Sequence, residues 1–166
     1  MRNLIAFPVL TLAFILQMSI VRRVTLLSGA ADLPLLLLAA WALQEEVASA
    51  WLWALLAGFI SAFVSGLPPL APLTAYLLIV GLARLIQRQV WRLPVLAMFT
   101  VTLLGTLILH LFSFLALQIS GSPISLGDTL AFITLPGLFL NFLLAFPAYA
   151  AMRDLATWVY PSENLL

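Results

Sequence analysis

Cysteine is absent from this chain, and so is lysine. Without cysteine there is no disulfide, no thiolate metal ligand and no cysteine nucleophile. Histidine occurs once, and six carboxylates are scattered along the sequence. That leaves little material for a metal centre or for acid–base chemistry. Charged residues make up only 8% of the 166, with a net charge of +1, where a soluble domain carries about 25%. Seven arginines against six acids offer no basic surface to nucleic acid.

What fills the chain is apolar. Hydrophobic residues are 64% of the total and the mean hydropathy is +1.19. One small globule cannot bury that much apolar side chain, so the solvent is lipid. Six spans of about 20 residues would take about 120 residues, which leaves no room for a soluble catalytic domain. The chain reads as a single all-α transmembrane domain over 1–166.

The first span is expected at about 4–21, between Arg2 and the pair Arg22-Arg23. Ser28-Gly29-Ala30 offers small residues at signal-cleavage spacing, but the apolar run exceeds a usual signal core, so a retained helix is preferred. Leu33 to Gly66 as one helix would run about 51 Å, too long for a hydrocarbon core of about 30 Å. Gln44-Glu45-Glu46 lies near its middle, and each carboxylate in lipid would cost about 2.5–3.5 kcal/mol. A tight hairpin removes that cost, with spans at 31–44 and 48–66. Trp41, Trp51 and Trp53 then fit an interfacial aromatic belt around the turn. The span at 31–44 is short enough to cross only in part. A proline-rich turn, Leu67 to Pro72, leads to a span at 73–83 that runs into Arg84, Arg88 and Arg92, with Trp91 as an anchor. A fifth span covers 93–119. Ser120-Gly121-Ser122-Pro123 breaks the chain before a sixth at 129–152. A short polar tail closes the chain.

Arginine counting sets orientation. With six spans, Arg2, Arg84, Arg88, Arg92 and Arg153 share one face, against Arg22 and Arg23 on the other. That face is then cytoplasmic, with both termini inside. A five-span arrangement, with 31–44 not crossing, separates the arginines better and puts the N-terminus outside. The signals of the hairpin favour six.

Several residues stand out within the spans. Ala50, Ala54, Gly58, Ala62 and Gly66 recur every four residues as a ridge of small side chains, with Ala57, Ser61 and Ser65 beside it. In lipid such ridges let helix backbones approach closely. The ridge serves either packing within the chain or docking of a partner's helix. In the last span Gly137, Asn141 and Ala145 share one face, between Pro136 and Pro147. Asn141 needs hydrogen-bond partners on other helices, either as a structural bond or as a ligand contact. The prolines free backbone carbonyls. Arg84, Arg88 and Arg92 form a basic stripe suited to lipid headgroups or to a cytoplasmic protein. His110, near Thr106 and Ser113, lacks an acidic partner and reads as a hydrogen-bonded structural group. Asp32 before Pro34, and Asp128, read as helix N-caps. No nucleophile, base or zinc motif points to an enzyme.

These features together resemble the rod shape-determining protein MreD family. The resemblance rests on Leu16-Gln17 at the edge of the first span and on Asp32-Leu33-Pro34 before Leu35 to Leu38. It rests also on Gly58-Phe59, on Val80-Gly81 before Arg84, and on Pro136, Asn141, Pro147, Tyr149 and Arg153. Two departures stand out. The family often carries its acidic residue after the proline of the second span, and often an aspartate where this chain has Gly66. The resemblance implies a six-span bundle similar to the substrate-binding subunits of energy-coupling-factor transporters, in the bacterial cytoplasmic membrane. It implies a non-enzymatic scaffold without cofactor. The scaffold would bind MreC and, through it, RodA, a penicillin-binding transpeptidase and MreB, and so help position peptidoglycan synthesis. Membrane lipid is an expected partner, and a homodimer is left open. The alternative is a vitamin-capturing subunit of an energy-coupling-factor transporter. Such a subunit needs a pocket with several convergent polar groups, and the sequence offers few.

Overall fold

The computed structural model describes residues 2–89, 93–122 and 124–161, and the side chains from Leu4 onward. Arg2's side chain, Trp91, Arg92, Pro123 and the tail from 162, all used in the sequence reading, lie outside what is described.

The chain is predominantly helical, at 81%. α1 is Ala6–Ser19, α2 Leu33–Ala42, α3 Ala50–Ser65, α4 Leu70–Gln89 and α5 Pro94–Ile119. The last segment opens with a single turn, α6 (Leu126–Asp128). A π-helical stretch, Thr129–Thr134, leads into α7 (Leu135–Val159). Among the described residues, four helical segments are long and apolar enough to cross a membrane: Ala6–Arg23, Leu70–Gln89, Pro94–Ile119 and Leu126–Val159. This is a multi-pass membrane protein. α3 has sixteen residues and α2 only ten. The stretch expected to span at 31–44 thus holds a helix of about 15 Å, half a hydrocarbon core.

α2 is the axis of the bundle. α1, α3, α4, α5 and α7 all pack against it, and around it α1 neighbours α3, α3 neighbours α4, α4 neighbours α5 and α5 neighbours α7. Leu35, Leu36, Leu38, Ala39, Ala40 and Ala42 are completely buried. That explains a run with no polar face, since a helix apolar all round is one enclosed on every side. The outer helices keep large apolar residues on their free faces, among them Phe7, Phe63, Leu85 and Leu143. Those faces meet lipid.

One element was not expected. Between α1 and α2 the chain forms a small antiparallel hairpin, β1 (Thr25–Leu26) paired with β2 (Gly29–Ala30), which lies against α7. Ser28-Gly29-Ala30 therefore sits in a packed turn of the fold.

The aromatic belt needs correcting. Trp51 is half exposed, as a belt residue should be, but Trp41 and Trp53 are buried and stacked, ring centroids 4.5 Å apart. Both rings lie on faces enclosed by other helices, so they fill the core. Asp128 is also corrected as a cap. Ser125 holds the N-cap position, its hydroxyl accepting from the Asp128 N–H at 3.4 Å.

Candidate functional site

Four buried polar residues, Gln17, Thr102, Thr106 and Asn141, converge on the N-terminal end of α2. The first N–H groups of any helix lack partners within it, and in a membrane interior each must find one. Asp32 is the N-cap, its Oδ1 accepting from the Leu35 N–H at 2.9 Å, with Pro34 in the first turn. The Leu33 N–H donates to Gln17 Oε1 at 2.9 Å, and Gln17 Nε2 donates to the Ala31 carbonyl at 2.8 Å. The Asp32 N–H donates to Asn141 Oδ1 at 2.7 Å. Asn141 Nδ2 donates to Thr106 Oγ1 at 2.9 Å, and Thr106 donates to the Thr102 carbonyl at 2.7 Å. Side chains of α1 and α7 thus hold one short stretch of backbone, Ala31 to Leu33, and Thr106 of α5 holds Asn141 in turn.

Beside this node is a small polar cavity of about 60 Å³, lined among others by Gln17, Arg22, Asp32, Ser61, Ser65 and Tyr76. Tyr76 is buried and bonds Ser61. At about 30 Å³ per water, the cavity has room for about two waters.

The hairpin closes the node by backbone approach. A Cβ on Gly29 would lie 2.5 Å from the Gly137 nitrogen and 2.5 Å from the Ile133 carbonyl oxygen. A Cβ on Gly137 would lie 3.0 Å from the Ala30 oxygen. Two backbones cross here because two glycines face each other. Pro136 has no N–H for the Phe132 carbonyl four residues earlier, and the Ser28 N–H takes that carbonyl at 3.0 Å instead. One turn away His110 Nδ1 and Thr134 Oγ1 are 3.0 Å apart. His110 is a bonded member of the α5–α7 contact.

The remaining predicted residues separate into groups. Asn141, Gly137 and Ala145 are all buried on the face of α7 turned to the interior. Ala54 and Gly58 are buried on α3, and a Cβ on Gly58 would come within 2.8 Å of the Leu73 Cα, on α4. The ridge there is occupied by the chain's own helix. Ala62 is half-buried. Gly66 does not join the ridge: it ends α3 at φ +68°, with nothing within 4 Å of where a Cβ would stand. Its role is the left-handed helix stop that glycine tolerates best.

Arg84 and Arg88 lie at the other end of α2. Arg84 donates from Nη1 to the Gln44 carbonyl and Gln87 Oε1, both at 3.1 Å, and from Nη2 to the Val47 carbonyl. It clamps the α2–α3 turn. Arg88 is exposed. Arg92 lies outside the described residues.

Gln17, Thr106 and Tyr76 were missed as site residues. A glutamine inside an apolar run was a usable signal, since a polar group in lipid needs a partner. Tyr76 gave none. No family model matches the chain, and no curated protein and no solved structure matches it.

Proposed function

We propose that this chain is a non-enzymatic scaffold of the bacterial cell-elongation machinery, an MreD-like protein of the cytoplasmic membrane with six apolar helices and both termini inside. It binds MreC and, through it, RodA, the penicillin-binding transpeptidase and MreB. The observation that carries this reading is a convergence. Gln17, Asp32 and Asn141, three of the residues on which the resemblance rests, are far apart in sequence and meet at one hydrogen-bonded node. A motif whose scattered members join in one contact behaves as one unit of a shared fold.

The polar cavity beside the node is too small to hold a vitamin. About 60 Å³ is well below the roughly 300–1,000 Å³ of a ligand pocket.

The test is co-purification in mild detergent of the tagged chain with MreC of the same organism. A stable, near-equimolar complex is expected, weakened by changes on lipid-facing positions such as Phe63→Ala and not by loss of fold. Gly58→Leu is unsuitable as an interface probe, because its side chain would strike the backbone of α4. Depletion of the protein should round rod-shaped cells. No complex, together with rods that stay rods, would overturn the proposal.

A further inference from the structure

A second polar site lies at the opposite end of the bundle, and nothing in the scaffold reading uses it. An open cavity of about 460 Å³ is bounded by Glu45, Ala48, Trp51, Arg84, Gln87 and Arg88. Its volume falls within the ligand range of roughly 300–1,000 Å³. Its position is the membrane border. Arg84 is 14 residues along α4 from Leu70, about 21 Å, and Arg88 is one turn further. Leu85 between them is exposed, as are Leu52 and Leu55 one turn along α3 from the cavity. The cavity therefore opens where apolar, lipid-facing helix surface ends and polar loop begins.

Its chemistry is mixed in a defined way. Two guanidinium groups, one turn apart on α4, form one wall. Arg84 is fixed by the carbonyls of Gln44 and Val47, so its charge is held in place. Glu45, exposed on the α2–α3 turn, supplies one carboxylate. Trp51 is 49% exposed, with its ring edge 3.5 Å from where a Gly81 Cβ would stand. The indole thus lies against α4 at Gly81. Guanidinium groups pair with phosphate. A carboxylate and an indole face both attract an ammonium.

We propose that this cavity binds the headgroup of a phospholipid, with the phosphate on Arg84 and Arg88 and an amine-bearing head on Glu45 and Trp51. Phosphatidylethanolamine carries both charges in that arrangement. A purely anionic lipid would satisfy the arginines but would face Glu45. The site rests on the membrane reading alone and is independent of any partner protein.

The experiment is native mass spectrometry of the full chain released from nanodiscs of defined composition, phosphatidylethanolamine against phosphatidylglycerol. One retained equivalent of phosphatidylethanolamine is expected. Arg88→Gln, at an exposed position, should leave the chain folded, as its detergent melting will show. It should lower lipid occupancy about fivefold, equivalent to ~1 kcal/mol for one interfacial charge. Glu45→Gln should keep occupancy and shift the preference toward phosphatidylglycerol. Equal occupancy in wild type and Arg88→Gln would overturn the proposal. So would displacement of the retained lipid by millimolar inorganic phosphate, which would assign the cavity to the free anion.

Discussion

The two ends of α2 solve the same problem with different chemistry. At the N-terminal end the unpaired groups are N–H donors, and they are met by oxygens: Asp32 Oδ1, Gln17 Oε1 and Asn141 Oδ1. At the C-terminal end the unpaired groups are carbonyls, and they are met by nitrogens. Gln44 Nε2 donates to the Ala40 carbonyl, and just beyond the helix Arg84 donates to the turn carbonyls of Gln44 and Val47. Each end thus receives groups of the polarity that the helix dipole favours there. The second difference is what surrounds the polar groups. The N-terminal node is clasped by side chains from three helices. The C-terminal end adds an apolar block, Trp41 stacked on Trp53 with the Tyr160 ring 6.3 Å away. A ten-residue helix cannot hold itself together in isolation. Both ends must be tied to the ring.

The largest effect should come from the N-terminal end. Asn141→Leu leaves the Asp32 N–H without its partner, at about 1–3 kcal/mol for an orphaned group, and removes the bond to Thr106, whose hydroxyl keeps the Thr102 carbonyl. A loss of ~3 kcal/mol in detergent unfolding is expected, with faster hydrogen exchange at Asp32 and Leu33 and little change near Leu43. Uniform exchange along α2 would mean that its ends are not separable. Arg84→Met comes next. It removes the charged bonds to the Gln44 and Val47 carbonyls at the more accessible end, where the Gln44 carbonyl keeps the Val47 N–H, and ~2 kcal/mol is expected, in the range for hydrogen bonds to a charged group. If it proved costlier than Asn141→Leu, the ranking of the two ends would be reversed.

Gly66→Ala serves as a calibration away from α2. It forces an alanine into the left-handed region at φ +68°, for a cost of about 1–2 kcal/mol. Exchange along α2 should be unaffected. The smallest effect is expected for Trp53→Phe. The indole N–H of Trp53 has no hydrogen-bond partner among the described residues, so the change removes an unsatisfied donor while keeping an aromatic ring on Trp41. A melting shift within ~1 kcal/mol of wild type is expected. A larger loss would show that the apolar block depends on the full area of the indole.

Parts of this arrangement were legible in the residues. Asp32 before Pro34 marked a helix start, because a carboxylate and a proline suit the first turn. Asn141 in mid-span announced a need for partners, and Pro136 announced a carbonyl that α7 could not satisfy. None of these signals named the partner. That Asn141 reaches Asp32, and that Ser28 reaches Phe132, depends on residues more than a hundred positions apart in sequence. The ridge on α3 was legible as a close helix contact, but not that α4 fills it. Trp41 and Trp53 were misread because a tryptophan beside a charged turn has the same sequence context in a belt as in a core.

The sequence by itself determined the solvent, the position of the apolar helices, the break at Gln44 to Glu46 and the cap at Asp32. These follow from local propensity and from the cost of charge in lipid. Only the tertiary structure decided which helix stands at the centre and which faces meet lipid. The physical reason is that in a membrane the core and the solvent are equally apolar. Hydrophobic periodicity then carries no inward direction, and the choice falls to close packing at small residues and to a few polar groups that must find one another.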